Sequence, residues 1–86
     1  MSSLESIIQR AVSPSRVRVV GNYTSPPTYG VYEVPRSGTS VKRYRIGNYP
    51  VRMRELEREF GSCRLGYLFE SREDAAQVAR LLESDR

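Results

Sequence analysis

Histidine and tryptophan are missing from this chain, cysteine occurs once, and apolar residues never form a long run. Each absence removes a class of function. Without histidine the commonest general base is gone, and with Cys63 as the single thiol a zinc or other transition-metal site lacks a ligand set. One cysteine also excludes an internal disulfide and fits a reducing cytoplasm, which is the expected location. A membrane helix needs about 20 consecutive apolar residues, so no membrane association is expected. The opening residues contain Glu5 and only scattered apolar positions, unlike a secretory leader. No cofactor is expected, and the chain reads as a non-enzymatic protein.

Acidic residues are scarce over half of the length. From Arg10 to Arg54, nine basic side chains stand against Glu33 alone, whereas residues 55–86 hold five basic and eight acidic groups. Such asymmetry points to an anionic partner for the first part. Thirteen of the 14 basic residues are arginine, whose planar fork suits phosphates and guanine edges. The codon habit of a GC-rich genome would give the same skew, so composition alone does not decide the matter.

What is present is concentrated in residues 41–61. Residues 41–46 alternate as a basic strand, with Lys42, Tyr44 and Ile46 on one side and Val41, Arg43 and Arg45 on the other. Gly47 and Asn48 have turn chemistry, and Pro50 suits the first position of a helix. Tyr49, Met53, Leu56 and Phe60 recur at helical period, and Gly61 suits a left-handed C-terminal residue, so a helix is predicted over 50–60. Its charges run against the helix dipole: Arg52 and Arg54 lie early, and Glu55, Glu57 and Glu59 late. Pairs at i, i+3, Arg54 with Glu57 and Glu55 with Arg58, relieve part of this. The remainder suggests that Arg52 and Arg54 answer to something outside the helix, and a helix N-terminus flanked by arginines is a natural anion site. A solvated arginine face is the plainer alternative.

Elsewhere, Ser2 and Glu5 fit a capping box and Leu4, Ile7, Ile8 and Ala11 form a helical stripe, ended by Ser13 and Pro14. This N-terminal helix, within residues 1–13, is short enough to be loosely attached or to serve a dimer contact. Strands are expected over 16–20, 29–34 and 64–70, with a loop over 21–28 and a hairpin loop over 35–40. The tripeptide Gly21-Asn22-Tyr23 recurs at Gly47-Asn48-Tyr49, read as shared turn chemistry. The strand over 64–70 is apolar on both sides and is expected in the sheet interior. Ser71 and Asp74 fit a capping box for a last helix with Ala75, Val78, Ala79 and Leu82 inward.

Residues 1–86 therefore form one domain of the α+β class. The expected order is α-β-β-β-α-β-α, with a mostly antiparallel sheet and helices packed on one face. Its other face would carry Tyr29, Val31, Arg43 and Arg45 with Arg16 and Arg18, a basic surface with an aromatic ring. The strand, turn and helix from Arg43 to Leu56 resemble part of the arm-type DNA-binding domains of tyrosine recombinases, which implies a sheet docked in a groove. The expected role is nucleic-acid binding at the phosphate backbone through Arg16, Arg18, Lys42, Arg43, Arg45, Asn48, Arg52 and Arg54. A protein-interaction or homodimer module is the alternative. A metal-independent ribonuclease, in which Arg, Lys, Tyr and Glu replace histidine, ranks third.

Overall fold

A computed structural model describes residues 3–35 and 43–84. Along the chain come α1 (Ser3–Ile8), a 3-10 turn (Pro14–Arg16), β1 (Arg18–Val20), β2 (Tyr23–Ser25), β3 (Tyr29–Glu33), β4 (Tyr44–Asn48), α2 (Val51–Phe60), β5 (Arg64–Phe69) and α3 (Arg72–Ser84). The class is α+β, and the order of helices and strands is the expected one with β2 added. A three-stranded antiparallel sheet runs β4-β3-β5, and β1 and β2 form a separate hairpin.

Strand β3 holds the centre. It pairs from Tyr29↔Asn48 to Glu33↔Tyr44 with β4 and from Tyr29↔Phe69 to Glu33↔Arg64 with β5. A register shift between Val31 and Tyr32 sets Tyr67 opposite Val31 and Leu65 opposite Tyr32, so the inward alternation resumes beyond Gly66. Both faces of β3 are apolar and both are covered. On one, Val31 and Phe69 pack with Ile7 of α1 and with Ala75, Val78 and Ala79 of α3, flanked by Tyr44 and Ile46. On the other, Tyr32 and Val34 pack with Leu56 of α2, flanked by Tyr49, Met53, Phe60, Cys63 and Leu65.

Helices thus pack on the sheet as the class requires, but α2 takes the face opposite α1 and α3. The cause is register. Tyr44 and Ile46 lie opposite Glu33 and Val31, not on the side of Tyr32 and Val34. Each side of β3 therefore carries its own large apolar groups, and each needs a cover. The expected open basic face is absent among the described residues.

Several boundaries move for identifiable reasons. Helix α1 stops at Ile8 because Arg10 and Ala11 bond three residues back, to Ile7 and Ile8, which tightens the chain and lets the Val12 N–H reach the Leu68 carbonyl at 2.8 Å. Ser13 then caps the 3-10 turn, so the first strand begins at Arg18 rather than residue 16. Gly47 and Asn48 form no turn: they close β4, opposite Gly30 and Tyr29. Strand β5 is an edge strand, not an interior one, and its two apolar sides reflect helices on both faces. Lys42, and residues 36–40 of the expected hairpin loop, lie outside the described residues. The helix expected over 50–60 is α2, with Pro50 just before it and Gly61 left-handed at φ 85°, its N–H donating to the Glu57 carbonyl. At α3 the Ser71 hydroxyl accepts the Asp74 N–H at 3.3 Å.

Arg10 fastens the N-terminal segment to α3 by donating to both Asp74 carboxylate oxygens at 2.9 Å. Those hydrogen bonds hold the Asp74 carboxyl below its ordinary value and raise Arg10 in turn. A carboxyl depressed on folding contributes stability above its unfolded value and loses it as pH falls through the folded value. Asp74→Asn should therefore be less stable than the parent at neutral pH, with the difference vanishing as the medium becomes more acidic than the depressed value. Urea midpoints across the acid range should converge, and curves that stay parallel would show the pair uncoupled from folding.

Candidate nucleic-acid interface

Two of the expected site residues stand on the β1–β2 hairpin or just before it. Val20 pairs with Tyr23, leaving Gly21 and Asn22 as a two-residue loop, and Gly21 has φ 64°. A positive φ at the first loop residue belongs to the II′ turn, whose twist matches that of a hairpin. At the base of the hairpin, the buried Thr24 and Thr28 hydroxyls lie 2.8 Å apart, and the Thr28 N–H donates to Thr24 Oγ1 at 2.9 Å. Thr24, buried, shares its side of the hairpin with Val19, which is 48% exposed, and Arg18, Val20, Tyr23 and Ser25 share the other. There Val20 and Tyr23 are 59% and 60% exposed. Arg16 and Arg18 are exposed and have no ion pair among the described residues.

The hairpin tip meets α2. Arg54 donates to the Asn22 side-chain oxygen at 3.0 Å, and the Tyr49 N–H donates to the Thr28 carbonyl at 3.1 Å. Arg54 thus does answer to a group outside its helix, within the same chain. Arg52 donates to Glu55 at 3.2 Å, an i, i+3 pair that takes the Glu55 expected to meet Arg58. Its aliphatic stem lies where a side chain at Gly47 would stand. Glycine at 47 is therefore required by space rather than by a turn. Asn48 ends β4, half-buried, and its carbonyl accepts from the Tyr32 hydroxyl at 3.4 Å. The residue before α2 is Pro50, without a side-chain cap.

Arg43 and Arg45 are used elsewhere. Arg43 and Arg64 both donate to Glu33, one to each carboxylate oxygen. Arg45 donates to the Tyr44 carbonyl at 3.2 Å, and its guanidinium lies 5.4 Å from the centre of the Phe60 ring, in cation–π range. Glu33 and Tyr29 lie at opposite ends of β3, about 13 Å apart at the usual rise of a strand. The basic residues therefore fall into two groups. Arg16, Arg18, Arg52 and Arg54 belong to the hairpin end, and Arg43, Arg45 and Arg64 to the other, where Glu33 neutralises part of the charge. Two clefts flank Glu33, one bounded by Tyr44, Arg64 and Tyr67, the other by Arg43, Cys63 and Arg64. Burial pushes the Cys63 thiol up, so it is a packed group and not a reactive one.

Asn22, Val20 and Tyr23 were not among the residues expected here. The signal for them is a Gly-Asn pair between Val19-Val20 and Tyr23-Thr24, a two-residue hairpin pattern. No helix among the described residues is long and apolar enough to cross a membrane. Comparison with family models, curated proteins and solved structures returns no match. The resemblance to recombinase arm domains rests on Arg43 to Leu56 alone, and neither sheet face is open to dock: α1 and α3 cover one and α2 the other. What the fold and surface define is a small α+β domain with a basic, aromatic-bearing hairpin.

Proposed function

We propose that this protein binds nucleic acid through the β1–β2 hairpin and the adjoining turns of α2, with Arg16, Arg18 and Arg54 meeting phosphates and Arg52 at the margin. One observation carries it: an exposed two-stranded ribbon opens on Arg18, with Arg16 in the turn just before it, both without an ion pair among the described residues, within a stretch that has no acid between Glu5 and Glu33. Arginine forks matched to phosphate oxygens supply affinity without sequence preference. In this reading Arg43, Arg45 and Asn48 serve the fold and leave the list of contacts.

A fluorescence-anisotropy titration with labelled DNA and RNA at several salt concentrations tests the proposal. Affinity should fall linearly on log-log axes, and Arg16→Ala with Arg18→Ala should weaken binding and reduce the salt slope by about one per lost phosphate contact. Arg45→Ala should leave the slope unchanged. Absence of binding at low salt, where nonspecific attraction is strongest, ends the nucleic-acid reading. A protein-interaction surface is the second reading, favoured by exposed Val20 and Tyr23 beside arginine. A mass that rises with concentration would support it.

A further inference from the structure

Resting on that reading, we infer that the ligand is single-stranded rather than duplex nucleic acid, with Tyr23 as the platform on which a base stacks. The outward side of the hairpin is mixed in kind. Arg18 stands opposite Ser25 at one end, and Val20 stands opposite Tyr23 at the turn. The Tyr23 ring is 60% exposed and Val20 59%. A phosphate backbone gives an apolar pair nothing to bury against. An unstacked base gives it a flat, apolar, polarisable face, and in a duplex that face is already covered by neighbouring bases.

The spacing fits a strand lying along the ribbon. Val20 and Arg18 are two residues apart on one side of β1, about 7 Å at the rise of a strand, close to the separation of successive phosphates in an extended chain. A base on Tyr23 therefore leaves the next phosphate within reach of the Arg18 fork. Arg54, bonded to Asn22 at the turn, adds a positive group on the far side of the tip. Nothing acidic interrupts this path: the hairpin carries no Asp or Glu. Stacking accepts any base, which matches a site with no fixed set of base-edge donors and acceptors. The occupant is a single strand of either sugar type, because a ring stacked on a base makes no use of the sugar.

The test uses the full chain with labelled DNA and RNA strands of about twelve nucleotides, within the span of known single-strand sites, and the same strands annealed to their complements. Single strands should bind at least about tenfold more tightly than duplexes, and Tyr23→Ala should lose about tenfold or more on single strands, as expected for one stacked base. Tyr23→Phe should bind like the parent, since the ring and not the hydroxyl makes the contact. Tyr23 is exposed, so a thermal melt should show the Ala variant folded. Duplex binding equal to or tighter than single-strand binding, or an unchanged Tyr23→Ala, would overturn the inference while the Arg16/Arg18 result still upheld binding by the arginines. If neither form binds at low salt, the underlying reading falls and the inference with it.

Discussion

Leu56→Ala should lower the stability of the domain by about 2–5 kcal/mol, the range for deleting a large aliphatic side chain from a well-packed core. Leu56 is fully buried and is the residue through which α2 enters the cluster of Tyr32 and Val34. Its neighbours in the cluster include the partly buried Met53 and Phe60, and the extent to which they close over the space sets where in that range the loss falls. Small domains have about 5–15 kcal/mol in total, and the loss takes a large share of that. Urea denaturation should show a lower midpoint at unchanged slope. Arg58→Ala, on the exposed side of the same helix, should move stability by no more than about 0.5 kcal/mol. A Leu56→Ala change below about 1 kcal/mol would mean that α2 is not anchored through this face. Loosening α2 would also release Arg54 from Asn22, so nucleic-acid binding should weaken in the same variant.

Gly30→Ala should cost about 3 kcal/mol, the upper range of overpacking. A methyl group there would stand 2.5 Å from the Tyr32 ring carbon that carries the hydroxyl and from the hydroxyl itself. Tyr32 has nowhere to go: it is fully buried, and its hydroxyl donates to the Gly47 carbonyl at 3.3 Å and the Asn48 carbonyl at 3.4 Å. Burial also raises the Tyr32 hydroxyl far above its ordinary value, so it stays protonated and donating. Displacing the ring removes those bonds as well as crowding the cluster. The neighbouring glycine behaves alike. Gly47→Ala meets the stem of Arg52 from its β-carbon, 2.7 Å away, and that atom is fixed to the α2 backbone, so the helix itself must shift and the cost should be comparable. The double change Gly30→Ala with Tyr32→Leu tests the cause, because removing the ring makes room for the methyl. Its loss should be less than the sum of the two single losses, and strict additivity would rule the collision out.

The sequence displayed its helices better than its sheet. Tyr49, Met53, Leu56, Phe60 and Gly61 marked α2 because stripe, period and stop signal agree, and the same is true of Ser71, Ala75, Val78 and Ala79 in α3. The strands were found but their faces were not. When both sides of β3 are apolar, alternation gives no inside and outside, and the pairing of Tyr44 and Ile46 with Glu33 and Val31 depends on register that only the folded sheet fixes. Gly-Asn was read as turn chemistry in both places and is a turn only in the first. At 21 and 22 it makes a two-residue turn, whereas at 47 and 48 it is strand, with glycine needed to admit Arg52. The arginines were legible as a group but not by use. Arg43 and Arg45 contact Glu33 and Phe60, neither of which periodicity links to them, and Arg52 takes Glu55, its i, i+3 neighbour, in place of a group outside the helix. Arg16 and Arg18 stand free of ion pairs among the described residues, and the hairpin beside them was the feature hidden inside an expected loop.

The central place of β3 has a consequence for how the chain is made. Its partners are β4, which ends at Asn48, and β5, which ends at Phe69. During synthesis the strand therefore emerges with both edges bare; β4 covers one, and the other stays open until β5 has left the ribosome. The hairpin, by contrast, closes between residues only a few positions apart and can form as soon as it appears. The hairpin proposed to bind and the core thus mature at different times, and a nascent chain carries that hairpin well before it has a sheet to hold it.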